Sequence, residues 1–111
     1  MSWIDSFRGR PKVSLEERIK QTIASRGITV GSPEPGKEYH TNGITGIGKH
    51  EKDDDGALAS FMTNLDNHKY GRPDYVSAII INMWHAQVGT RSIPMRKITA
   101  TGYFPIPPDA A

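Results

Sequence analysis

The sequence predicts an α+β fold, with three helices at about residues 14–26, 55–70 and 74–88. A small, mainly antiparallel sheet accompanies them, built from a hairpin at about 38–47 and a strand at about 95–104. Three observations lead to this reading. Apolar residues recur at helical spacing in three separate stretches. The pair Asn42-Gly43 stands between two short β-like runs. A segment near the C-terminal end alternates apolar and polar residues with period two. Extended arms, residues 1–12 and 105–111, flank a single small domain over 13–104.

The helix over 14–26 has the best signals. Ser14-Leu15-Glu16-Glu17 is a capping box, in which the Ser14 hydroxyl accepts from the Glu17 N–H. Both acids lie where the helix dipole favours negative charge. Leu15, Ile19 and Ile23 form a narrow stripe, and Gly27 followed by Ile28 suits a left-handed ending. Asn42-Gly43 predicts a type I′ turn, because both turn positions need positive φ. Over 55–70, Asp55 can cap, Leu58, Phe61, Met62 and Leu65 make one apolar face, and Gly71 closes the helix. Over 74–88, Val76, Ile79, Ile80, Met83 and Trp84 fall at helical spacing. Fourteen residues without a breaker exceed a typical strand. This helix is expected to be the centre of the core, with Ile80 and Trp84 on its buried face. Finally Ile98, Ala100, Gly102 and Phe104 alternate with polar neighbours, and Pro94 places that strand at a sheet edge.

Composition excludes several classes. There is no cysteine, which removes disulfides, thiolate metal sites and cysteine nucleophiles together. The longest apolar run, residues 78–81, is far short of the ~20 needed to span a membrane, so no membrane partner is expected. Residues 1–12 carry Asp5 among their apolar residues and do not read as a secretory signal, so a cytoplasmic or virion-associated location is expected. The net charge of +2 is unevenly placed: residues 1–26 carry +3 and residues 53–75 carry −3. A basic head beside an acidic middle suggests polar partners at the head.

Arg8-Gly9-Arg10-Pro11-Lys12 resembles the core of an AT-hook, the short arm that enters the minor groove of A·T-rich DNA. The resemblance implies Arg8 and Arg10 as the inserted pair and Lys12 as a phosphate contact. Other near-motifs fail on their chemistry. Residues 43–50 almost spell a phosphate loop, but His50 replaces the metal-binding hydroxyl and acids follow. Residues 51–62 almost spell a calcium loop, but Met62 stands where a bidentate carboxylate is required. His40, His50, His68 and His85 lack metal-ligand spacing, and no signature supplies a catalytic group. Two helices joined through Gly71-Arg72-Pro73 invite a helix-turn-helix reading, yet residues 75–88 contain no Lys or Arg.

The expectation is therefore a non-enzymatic structural or accessory protein with no cofactor and no metal. It would dock into a larger assembly, such as a virion, or into a homo-oligomer. Trp3, Ile4 and Phe7 in the first arm, with Phe104 and Ile106 near the second, are the expected docking residues. The alternative is a small DNA-binding accessory factor that works through residues 8–12.

Overall fold

The computed structural model describes residues 13–106. They form two helices and a four-stranded mixed sheet, an α+β arrangement. In chain order these are α1 (Leu15–Ser25), β1 (Thr29–Val30), β2 (Tyr39–Ile47), α2 (Asp54–Asp66), β3 (Tyr75–Val88) and β4 (Arg91–Pro105). The sheet order is β1-β3-β4-β2. β1 runs parallel to β3, and β4 is antiparallel to both its neighbours. The expected arms lie outside the described residues, apart from Pro105 and Ile106.

α1 forms where expected. Ser14 Oγ accepts from the Glu17 N–H at 3.2 Å, and Ile19 and Ile23 are fully buried. Its end is a Schellman motif. The Gly27 N–H donates to Ala24 O, the Ile28 N–H donates to Ile23 O, and Gly27 sits at φ +74°. α2 is capped by Asp53 rather than Asp55. The Asp53 carboxylate accepts from the N–H groups of Lys49 and Gly56, at 2.7 and 2.9 Å. Ala57, Phe61, Met62 and Leu65 are its buried residues, and the helix ends at Asp66, four residues earlier than expected.

Two ion pairs hold α1 beside α2: Arg18 to Asp55 near their starts, and Arg26 to Asp66 near their ends. The helices therefore run side by side in the same direction. Arg26 bonds both Asp66 oxygens, through Nε at 2.7 Å and Nη2 at 3.0 Å. That hydrogen-bonded guanidinium holds the Asp66 carboxyl below its ordinary range and raises the pKa of Arg26. Asp53 is likewise depressed, first by the Lys49 N–H and then by the Gly56 N–H. A carboxyl depressed in the folded state stabilises the fold above its unfolded pKa of about 3.9. That contribution is lost as the pH falls through the folded value. Both Asp66 and Arg26 are partly exposed, so solvent and salt screen the effect. Melts of wild type and Asp66→Asn at low salt are expected to differ near neutral pH and to converge below about pH 4. A difference independent of pH would refute this role for the pair.

The expected third helix does not exist: residues 75–88 are strand β3. A bulge accounts for its helical pattern. The β3–β4 register runs Val76↔Gly102 and Ser77↔Thr101, then jumps to Ile80↔Thr99. The extra residue, Ala78, sits at φ +53°, a left-handed conformation that costs an alanine roughly 1–2 kcal/mol. The bulge puts Val76 and Ile79, three residues apart, on the same face. Ile81 follows them onto the core, whereas Ile80 and Trp84 face away and are 53% and 42% exposed.

The expected hairpin at 38–47 is also absent. Asn42 and Gly43 lie inside β2, opposite Gly102 and Thr101, and Gly43 does not adopt positive φ. Nine continuous pairs with β4 outweigh the local turn preference. β4 shows the expected alternation, with Ile98, Ala100, Gly102 and Phe104 buried. It is nevertheless a central strand. Pro94 is accommodated because β2 pairs no further than Lys97, so β4 has β3 alone beside it at Pro94.

The core lies between the helices and one face of the sheet. Ile19, Ile23, Phe61 and Leu65 from above meet Ile44, Val76, Ile98 and Phe104 from below. No helix among the described residues is long and apolar enough to cross a membrane.

Candidate functional site

Residues directly opposite one another in a sheet share a face, so the register defines the face away from the helices. At one end it carries three tyrosines. Tyr39 packs edge-on against Tyr75 and Tyr103, at 5.9 and 6.4 Å between ring centres, and the Ser77 hydroxyl donates to the Tyr103 hydroxyl. Thr41, Thr45, Thr99 and Thr101 cross the middle. At the other end stand Ile80, Trp84 opposite Met95, Ala86 opposite Ile93, and Val88 opposite Arg91. Neither helix covers this face, since both pack their buried residues on the other.

Beyond Arg96 the sheet narrows to a two-stranded ribbon. Its pairs run from Trp84↔Met95 to Val88↔Arg91, closed by Gly89-Thr90. Gly89 sits at φ +63° and Thr90 keeps negative φ, the pattern of a type II′ turn. The ribbon is anchored at its base. The Gly48 N–H donates to Arg96 O at 2.8 Å, and the Arg96 N–H donates to His50 O at 3.0 Å. Arg96 Nε also lies 3.0 Å from Asp54 Oδ1, close but not aligned as a hydrogen bond. Of the large apolar side chains exposed among the described residues, Ile80, Trp84 and Val88, between 42% and 57% exposed, lie on the face away from the helices, Met83 lies on the other face of β3, and Val13 and Tyr70 lie elsewhere. Large contiguous apolar patches, rather than single exposed apolar residues, are the general feature of interaction surfaces.

The expected docking residues lie elsewhere. Trp3, Ile4 and Phe7, together with Arg8, Arg10 and Lys12, fall outside the described residues. Phe104 is fully buried. His68 stacks on it at 4.3 Å, and the edge of Tyr70 covers it at 5.8 Å. That ring closes the chain's own core and is not available to a partner. Ile106 is half-buried just past the end of β4.

The near-motifs resolve into structure. The Lys49 N–H in the phosphate-loop-like segment is taken by the Asp53 carboxylate. Among the described residues, no group of three or more His, Asp or Glu side chains is placed to hold a metal ion. A cleft of about 250 Å³ lined by Arg26, Ile28, Leu65, Asp66 and Arg72 has its central charges neutralised by the Arg26–Asp66 pair.

Sequence reasoning missed the ribbon. The signal that could have found it is the absence of any charged residue over 75–88, followed by a Gly-Thr turn and then Arg91. No protein-family model, no curated protein and no solved structure matches the chain.

Proposed function

We infer that the protein is a non-catalytic assembly subunit that binds other protein chains through the β3–β4 ribbon and the adjoining open sheet face. The observation that carries this reading is the exposed apolar row Ile80, Trp84 and Val88 along the open face of β3, the last two on the ribbon that β2 does not flank. A two-stranded ribbon is marginal by itself in water. Burying this one against a partner stabilises both the ribbon and the complex. Apolar and aromatic side chains with a charge at the rim, here Arg91 at the ribbon's tip, are a usual make-up of a protein interface. The DNA-binding alternative depends on residues 8–12, and nothing in the described residues adds to it.

A photo-crosslinking amino acid placed at Trp84 tests this reading in cells. Illumination is expected to give adducts of the chain with protein, while the same group at Glu51, on the exposed loop before α2, gives none. Equal yields at both positions, or no adduct at Trp84, would overturn it. Adducts with nucleic acid alone would instead favour the DNA reading.

A further inference from the structure

We propose that one partner is a second copy of this chain, paired antiparallel along the outer edge of β3 about a two-fold axis at Trp84. This rests on the assembly reading above and deepens it. Natural sheets protect their free edges by shortness, charge, proline or covering side chains. Of the other free strand edges among the described residues, those of β1 and of β4 in the ribbon are protected in these ways, and that of β2 is protected in part. β1 is two residues long. On β2, Asn64 donates to Thr45 O, and Ser60 Oγ accepts from the Ile47 N–H at 3.1 Å, so α2 occupies part of that edge. The outer edge of β4 in the ribbon carries Arg91, Pro94 and Arg96.

The edge of β3 is different. β1 pairs only with Tyr75 and Val76, so from Ser77 to Val88 no strand among the described residues lies beside it. Those residues include no Lys, Arg, Asp, Glu or Pro. The bulge at Ala78 interrupts only the start, and pairing from Ile80 to Val88 is regular.

The regular stretch, residues 80–88, is centred on Trp84, and its sequence complements itself. Antiparallel pairing about that centre sets Ile80 opposite Val88 of the second copy, Asn82 opposite Ala86, and Trp84 opposite Trp84. Large apolar side chains then meet large apolar side chains on the open face, and no charge meets its like. A shift of two residues either way would set Asn82 against Trp84 or Val88 instead. The contact is isologous and closes at two chains. It joins two sheets edge to edge into one of eight strands.

The chain contains no cysteine, so an introduced thiol is the only one present. Light scattering of the purified full chain is expected to give twice the chain mass. Trp84→Lys puts like charges on the axis and is expected to raise the dissociation constant at least about thirtyfold while circular dichroism is unchanged. Asn82→Cys mixed with Ala86→Cys is expected to form a disulfide-linked pair on mild oxidation. Neither variant should link to itself, because only directly opposite positions come within disulfide reach.

A wild-type monomer at every concentration would overturn the proposal, as would a dimer that survives Trp84→Lys and gives no mixed cross-link. An internal disulfide in a Trp3→Cys, Asn82→Cys chain would show that the chain's own first residues cover the edge, and would overturn it too. A monomer whose residue 84 still crosslinks to a different protein in cells would sink the self-pairing and leave the assembly reading intact.

Discussion

Replacing Phe61 by alanine is expected to cost about 3–5 kcal/mol, a large share of the 5–15 kcal/mol typical of a folded domain. Phe61 is fully buried at the middle of α2 and is among the largest of the fully buried side chains. It packs where α2 lies closest to β2, next to Gly46. Truncation removes apolar contacts and leaves a cavity, because the helix above and the strands below are held by their own hydrogen bonds. The informative comparison is Trp84→Ala. Tryptophan is the larger side chain, and the periodicity of residues 74–88 would make it the greater loss. In the structure it is 42% exposed on the ribbon, so its removal leaves no enclosed cavity. Denaturant melts of the two variants, at concentrations where the chain is monomeric, should rank Phe61→Ala as clearly the more damaging. The opposite ranking would mean that residues 75–88 are the core helix after all.

What the sequence made legible is local. The Ser14 cap, the Gly27-Ile28 ending, the α2 face of Phe61, Met62 and Leu65, and the alternation of β4 each arise within a few residues, and each is found. What it hid depends on distant partners. Val76, Ile79, Ile80, Met83 and Trp84 have helical spacing because two unrelated causes add together. The bulge at Ala78 shifts the strand's phase, and both faces of the strand are apolar, one for the core and one left open. Neither cause is local. Asn42-Gly43 likewise looks like a turn until β4 is seen to run past it through nine pairs. Phe104 was readable as apolar and terminal, but its lid, His68 and Tyr70, comes from the loop after α2. The candidate surface was hidden for the same reason. A residue's exposure is set by where the helices do not reach.

That economy of cover makes the substitution Gly46→Ala the sharpest test of how the two layers meet. Gly46 lies on β2 directly under α2. A Cβ added there would overlap the carbonyl oxygen of Ala57 and the amide nitrogen of Phe61, and would stand 2.5 Å from Phe61 Cβ. Two of these obstacles are helix backbone and cannot rotate aside, so α2 must lift from the sheet. A loss of about 1–3 kcal/mol or more is expected, in the range of overpacked cores, and Gly46→Val should cost more than alanine. Gly43→Ala is the matched control: it sits three residues earlier on the same strand and meets nothing within 4 Å. Thermal melts should separate the pair clearly, and equal melting points would mean that α2 does not rest on β2. Association should change as well. Lifting α2 withdraws Ser60 and Asn64 from the outer edge of β2, the side chains that bond Ile47 N and Thr45 O. An edge stripped of those bonds becomes a second template for strand pairing. Gly46→Ala is therefore expected to form species larger than a dimer near its melting point, whereas Phe61→Ala, which leaves those two side chains in place, should do so less.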